Sequence, residues 1–295
     1  MFGETIDYHL LRPLTHARNR ASEEELMERA LRSDYTLDEA RAYLARARSL
    51  FFADRLPVGT GLSYLDVGAG MGRLSIGLAL GGATDVTGVE MVERNVREAT
   101  TIARRLDGPT PPRFVHADVH AWETTRKFDV IVVLGAMEHI REPARMLRRI
   151  AELLKPDGRA FVSIEPFKSP IGDHMHAFFR VQIPWRGLLF SERAILRLRR
   201  ENFRPTDPAE RYEDIAGGLN RLSFGDYLRH AREAGLEFVF HNFNPQVREQ
   251  RRLRWLAPAN AVLTGLRGVQ DYFIVCGYSI LALAREGGAG RADRG

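Results

Sequence analysis

The sequence of 295 residues is poor in cysteine and lysine and has no long apolar run, and each shortage removes a class of explanation. Cys276 is its only cysteine, so an intrachain disulfide, a cysteine-based zinc cluster and a Cys-x-x-Cys redox pair are excluded, and the cytoplasm is the default expectation. The first residues carry Glu4, Asp7 and Arg12 with no apolar stretch behind them, which does not read as a signal peptide. The longest apolar run, 272–284, contains Gly277 and Ser279 and falls short of the ~20 residues a bilayer requires, so it predicts a long buried strand and no membrane span. Lysine occurs only at Lys127, Lys155 and Lys168, leaving arginine to supply nearly all of a net charge of +5. The densest basic run, Arg248, Arg251, Arg252 and Arg254, lacks the interleaved aromatics of a single-strand binding surface and reads as a solvated helix face. With no appended binding module and no basic stripe, nucleic acid is not the expected partner.

What is there is ordinary globular composition, 44% hydrophobic and 27% charged, long enough for a substantial core. Ser22-x-x-Glu25 and Thr36-x-x-Glu39 are capping-box patterns that predict two helices over 22–55. Short apolar segments then alternate with helical ones. Strands are expected at 63–67, 85–90, 113–116, 128–134 and 159–164, with helices near 71–82, 92–105 and 142–154. That alternation predicts an α/β fold with a doubly wound parallel sheet covered on both faces. Residues 166–220 break the rhythm with a His-, Phe-, Pro- and Arg-rich insertion holding one clear helix from Ser191. A helix near 223–234 closed by Gly235 leads to a strand at 236–240. Residues 244–268 are a second excursion before the final strand, and a Gly/Arg tail at 287–295 is expected to be disordered.

The strongest chemical signal is Asp66-Val67-Gly68-Ala69-Gly70-Met71-Gly72, a glycine-rich turn from strand to helix. Such a turn admits a ligand close to the backbone and aims helix N–H groups at it. Its Gly-x-Gly-x-Gly spacing differs from the dinucleotide fingerprint Gly-x-Gly-x-x-Gly, which makes a nicotinamide dehydrogenase the poorer match. The next strand ends in Glu90, about 20 positions on, where a carboxylate accepts bonds from ribose hydroxyls.

With these residues the sequence resembles the class I S-adenosylmethionine-dependent methyltransferases. Further landmarks are in register: His116-Ala117-Asp118-Val119, then 128–140 with Gly135-Ala136-Met137-Glu138-His139-Ile140, then Leu153-Leu154-Lys155-Pro156-Asp157-Gly158-Arg159. The resemblance implies S-adenosylmethionine as cofactor, held by Asp66, Gly68, Ala69, Gly70, Glu90, Met91, Asp118, Val119 and Gly135. It implies a mostly parallel, seven-stranded Rossmann-like sheet with an N-terminal helical cap over 1–60, a cofactor core over 61–165, an acceptor-binding insertion over 166–220 and a return to the core sheet over 221–286. Gly72 is explained nearly as well by helix packing, and Asp129 and Asp157 by turns.

The segments around Glu165-Pro166, Asp173-His174-Met175-His176, Ile183-Pro184-Trp185 and Gly218-Leu219-Asn220 resemble an insertion of bacterial biosynthetic methyltransferases, which places Asp173, Trp185 and Asn220 beside the acceptor. His139, His174 and His176 are the candidate bases, since imidazole titrates near neutrality. The alternative for His139 is that Glu138-His139-Ile140 caps the following helix. His174-x-His176 has a spacing that suits a metal, but no acidic partner is fixed by spacing, and no metal site is assigned. The favoured reading is O-methylation of a sugar-containing or secondary-metabolite hydroxyl, because the Asn/Asp-Pro-Pro-aromatic tetrapeptide of amino-nitrogen methylating families is absent after Leu134. N- or C-methylation, or a non-catalytic cofactor-binding partner protein, is the alternative, and a homodimer is left open.

Overall fold

Seven strands form one sheet in the order β3-β2-β1-β4-β5-β7-β6 in the computed structural model, which describes residues 3–16, 36–106, 110–215, 218–249 and 254–285. The strands are β1 (Ser63–Val67), β2 (Asp85–Glu90), β3 (Arg113–His116), β4 (Phe128–Val133), β5 (Leu154–Ile164), β6 (Leu236–Phe243) and β7 (Gly277–Leu283). Strands β3 to β5 pair in parallel and β7 runs antiparallel between β5 and β6. The helices are α1 (Glu4–Leu11), α2 (Leu37–Arg46), α3 (Arg73–Leu80), α4 (Glu93–Ala103), α5 (Pro143–Leu153), α6 (Arg186–Leu189), α7 (Glu192–Asn202), α8 (Phe224–Glu233) and α9 (Asn260–Gly265).

The core is apolar on both sides of the sheet, as a doubly wound fold requires. Leu65, Val67, Ile131 and Val133 pack with α5 residues Met146, Leu147 and Ile150 on one side. Tyr64, Val86, Val130 and Val132 pack with Leu44, Phe52 and Leu74 on the other. Helix α2 starts at the capping box read from the sequence, with Thr36 Oγ1 accepting from Glu39 N–H and Glu39 Oε2 accepting from Thr36 N–H. It lies so close to α3 that a Cβ on Gly77 would come within 2.6 Å of the Ala40 carbonyl oxygen. The helix expected from Ser22 and the tail lie outside the described residues.

The described residues among 1–60 divide between two places. While α2 packs on the core, α1 joins the insertion: Tyr8 and Leu11 share a separate apolar cluster with Phe167, Phe179, Ile195, Leu198 and Tyr212. Tyr8 Oη donates to Glu201 Oε2 at 2.6 Å, Ser191 N–H donates to Asp7 Oδ2 at 2.7 Å, and Thr15 bridges to Phe179.

Two expectations are corrected. The last strand is shorter than the apolar run, because Asn244 Oδ1 accepts from both Val275 and Cys276 N–H and turns the chain aside, while Asp271 Oδ1 accepts from Phe224 N–H at the start of α8. The basic run is not a regular helix face over its described part: Arg248 sits in consecutive turns and Arg254 opens a 3₁₀ helix, Arg254–Ala259, that carries Pro258.

Candidate active site

Parallel pairing sets the carboxyl ends of β3, β2, β1, β4 and β5 side by side, and every loop that leaves them carries polar or glycine residues. Open α/β sheets bind ligands at this edge. After β1, Gly68 N–H and Ala69 N–H both donate to the Val89 carbonyl, which ties the glycine turn to β2. Gly68, Gly70 and Gly72 all have positive φ, 68°, 54° and 79°. A Cβ on Gly70 would meet nothing within 4 Å, whereas one on Gly72 would lie 2.5 Å from the Phe114 ring and 3.0 Å from Ala99 Cβ. Gly70 therefore borders open space and Gly72 serves the packing of α3 on β3 and α4. Gly88 belongs with Gly72, since a Cβ there would meet Phe114 at 2.7 Å and Ala69 at 2.9 Å; only the position of the facing ring reveals it.

Glu90 ends β2 almost buried, with Oε2 accepting from Gly70 N–H and Oε1 from Val92 N–H, each at 2.8 Å. A carboxylate has about four lone-pair positions, so two such bonds orient it and leave capacity for two ligand hydroxyls. Met91 beside it is exposed, and its carbonyl lies 3.0 Å from His116 Nε2. Asp118 is exposed beyond β3, with Oδ1 accepting from His120 N–H, while the Val119 side chain turns into the core. Gly135, φ 61°, opens the β4 loop, donates N–H to Ser163 Oγ at 2.8 Å and leaves space where a Cβ would stand. The structure thus brings Gly68, Ala69, Gly70, Glu90, Met91, Asp118 and Gly135 to one edge.

Asp66 lies beneath that edge, fully buried, accepting from Ser75 Oγ at 2.7 Å. Burial, with the Glu90 charge adding to it and the Ser75 bonds opposing, pushes its carboxyl up to about 6. Asp129 is structural, as the sequence suggested. Its Oδ2 accepts from Ser63 N–H, Ser63 Oγ and Lys155 Nζ, and these bonds hold its carboxyl down at about 2 against the opposing effect of burial.

At the β4 and β5 end of the edge lies a polar cluster. Glu138 and His139 form a 3₁₀ turn and do not cap α5, whose first turn starts at Pro143 after Glu142. His139 Nδ1–H donates to the Gly218 carbonyl at 2.7 Å, and its ring meets the His174 ring edge-on at 5.4 Å. His174 Nε2 lies 3.2 Å from Oε2 of Glu165, the residue directly after β5. The sequence reading did not select Glu138 and Glu165; the available signal was that each is a carboxylate just past an apolar strand.

The other insertion residues are engaged within the chain. Asp173 forms a buried two-point pair with Arg186, Oδ2 to Nε at 2.8 Å and Oδ1 to Nη2 at 2.9 Å, and Oδ1 also accepts from Met175 N–H. Asn220 Nδ2 donates to the Met137 and Ile140 carbonyls, each at 2.7 Å, Oδ1 accepts from Leu222 N–H, and its own N–H donates to the Glu138 carbonyl. Trp185 Nε1 donates to the Tyr272 carbonyl at 2.8 Å. The side chain of His176 lies outside the described part of the structure.

A model of the family described as "Methyltransferase domain" matches residues 36–239. The chain belongs to the class I S-adenosylmethionine-dependent methyltransferases. S-adenosylmethionine is its cofactor, and the open space over Gly70 and Gly135 with the oriented Glu90 carboxylate fits the nucleoside and amino-acid parts of that molecule. The methyltransferase is 36% identical over 103 residues to a ubiquinone biosynthesis O-methyltransferase of Aeromonas salmonicida (strain A449), a match covering 35% of this chain and 43% of that protein, so it spans less than half the length of that relative. Among solved structures it resembles an S-adenosylmethionine-dependent methyltransferase from Mesorhizobium loti, with TM-score 0.53, 18% identity, and coverage of 83% of this chain and 99% of that one. It also resembles magnesium protoporphyrin IX methyltransferase (ChlM) from Synechocystis PCC 6803 with bound S-adenosylhomocysteine, with TM-score 0.52, 17% identity, and coverage of 95% and 100%. These structural likenesses concern the fold. Among the described residues no helix is long and apolar enough to cross a membrane, and no group of three or more His, Cys, Asp or Glu side chains is placed to hold a metal ion.

Proposed function

We propose that the protein methylates a hydroxyl of a small molecule, a sugar-containing or secondary-metabolite compound, taking the methyl group from S-adenosylmethionine. The observation that carries this reading is Glu90, fixed by Gly70 and Val92 N–H at the carboxyl edge next to an open glycine turn. The O-methyltransferase name of the Aeromonas relative supports oxygen as the acceptor atom. The bound cofactor supplies a methyl group already activated by its sulfonium. What the chain adds is alignment, exclusion of water and, for a hydroxyl, somewhere for the proton to go. Glu90 and Asp118 would orient the nucleoside, and Gly68, Ala69 and Gly135 would let the backbone approach the rest. Residues 166–220, joined by α1, would cover the acceptor, with Trp185 at its rim.

Titration calorimetry with S-adenosylmethionine and S-adenosylhomocysteine tests the cofactor site. The expected result is micromolar binding, roughly −8 kcal/mol, weakened at least tenfold in Glu90→Ala. Release of S-adenosylhomocysteine over a panel of phenols, glycosides and amines then identifies the acceptor. Binding with no turnover on any hydroxyl compound would instead favour a cofactor-binding partner protein.

A further inference from the structure

We infer that His174 takes the acceptor's proton through Nδ1, with Glu165 and Glu138 as the residues that position it and balance its charge. This deepens the methyl-transfer reading and rests on it. Strands β4 and β5 are parallel neighbours, so the residues following them leave the same edge. Glu165 follows β5 immediately, and Glu138 sits in the turn after β4. His174 arrives from the insertion in a left-handed backbone conformation, φ 54°, uncommon outside glycine although histidine is one of the residues that adopt it more readily. The conformation is held by the buried Asp173–Arg186 pair on one side and the turn to Met175 on the other.

The geometry decides which ring nitrogen works. Nε2 is buried and lies 3.2 Å from the Glu165 carboxylate, within ion-pair range but without an aligned hydrogen bond, and the negative charge there favours the proton of the neutral ring on Nε2. Nδ1 makes no hydrogen bond among the described residues and keeps its lone pair. When a hydroxyl approaches, its O–H bond breaks, the electron pair stays on oxygen for the incoming methyl, and the proton bonds to Nδ1. The ring then carries one positive charge beside the Glu165 carboxylate, with Glu138 near enough to add to the field, and later returns the proton to solvent. Glu138 explains itself in this arrangement. Its Oε2 is buried without a hydrogen-bond partner and its Oε1 lies 3.9 Å from His139 Nε2, so a positive charge forming on the neighbouring His174 ring favours the ionised form of this carboxyl.

The groups facing His174 are Glu165 from β5, Glu138 and His139 from the β4 loop, and Asp173 from its own segment. Burial opposes the charge on His174, but the close contact with Glu165 and the charges of Glu165, Glu138 and Asp173 outweigh it and hold the imidazole above its ordinary value. Burial and the Glu165 charge likewise raise the Glu138 carboxyl well above the usual carboxylate range.

The test uses the full chain with S-adenosylhomocysteine added, and reads the histidine rings by long-range ¹H–¹⁵N NMR across pH. The expected outcome is that His174 titrates above about 6.5 with its neutral proton on Nε2. In Glu165→Gln the titration point falls by about one pH unit and the tautomer preference is lost, with a smaller fall in Glu138→Gln. A His174 that titrates at the ordinary value, or is unchanged in Glu165→Gln, overturns the inference. His174→Asn, chosen because asparagine tolerates left-handed φ, is then compared on the hydroxyl compound that the panel returns. The expected fall in kcat is at least about 100-fold with cofactor affinity unchanged, and near-normal kcat overturns the assignment. Failure of the cofactor to bind sinks the methyl-transfer reading instead, and calorimetry shows that separately.

Discussion

Gly70 and Gly72 look alike in the sequence and differ in what a side chain would meet. Gly72→Ala drives a methyl into Phe114 and Ala99, so it should lower stability by about 1–3 kcal/mol, read by urea unfolding. Gly70→Ala meets open space but still puts a side chain at φ 54°, so it should cost about 1–2 kcal/mol of backbone strain, less than Gly72→Ala, which adds the clash to the same kind of strain, and its distinctive effect should appear in calorimetry as weakened cofactor binding. If both variants lose stability equally with affinity retained, the distinction between cradle and packing falls. Asp66 supplies a pH test. Its folded carboxyl, about 6, lies above the ordinary 3.8, so the folded chain holds the proton more tightly than the unfolded one. The stabilisation present below 3.8 is lost as pH rises through 6. The shift corresponds to about 3 kcal/mol for a fully buried group. Asp66→Asn keeps an acceptor for Ser75, so it should flatten the stability slope between pH 4 and 6 and be more stable than the parent at pH 8. Equal slopes in the two proteins would contradict this.

Elements show where the sequence was readable and where it was not. The glycine turn, Glu90 and the capping box of α2 were legible because each depends on residues close in the chain or on a fixed strand–turn–helix unit. The roles of Asp173 and Asn220 were not, because their partners are set by how the insertion folds. Arg186 stands 13 positions from Asp173, and the carbonyls that Asn220 ties lie about 80 positions away. Asp173→Ala would strand the buried Arg186 charge and should cost about 3–5 kcal/mol, whereas Asp173→Leu with Arg186→Met together should recover most of it. Asn220→Ala releases the turn that carries Glu138 and His139, and should raise the acceptor KM more than it lowers cofactor affinity. A thermal-shift series and a steady-state comparison check these in turn.

At the scale of the whole molecule, the parallel half of the sheet followed from the alternation of strands and helices. The antiparallel placement of β7 between β5 and β6 did not, since apolar runs carry no direction. Nor did the sequence show that α1 leaves the N-terminal helices to pack with the insertion. That arrangement gives the insertion an apolar cluster of its own. Removing residues 1–16 should therefore expose the insertion to limited proteolysis while the Glu90 site still binds cofactor. Loss of cofactor binding to the same extent would show that the two clusters unfold as one.

The place of β7 also sets an order in time. It comes after all the other strands in the chain, yet it separates β5 from β6, and Asn244 holds the chain just before it by bonding Val275 and Cys276. During synthesis β6 emerges from the ribosome with no neighbour to pair with, and β5 waits with one edge bare. The nascent protein must carry bare the two strand edges that β7 will cover, one of β5 and one of β6, until that strand arrives, which makes that interval the one in which chaperones have most to protect.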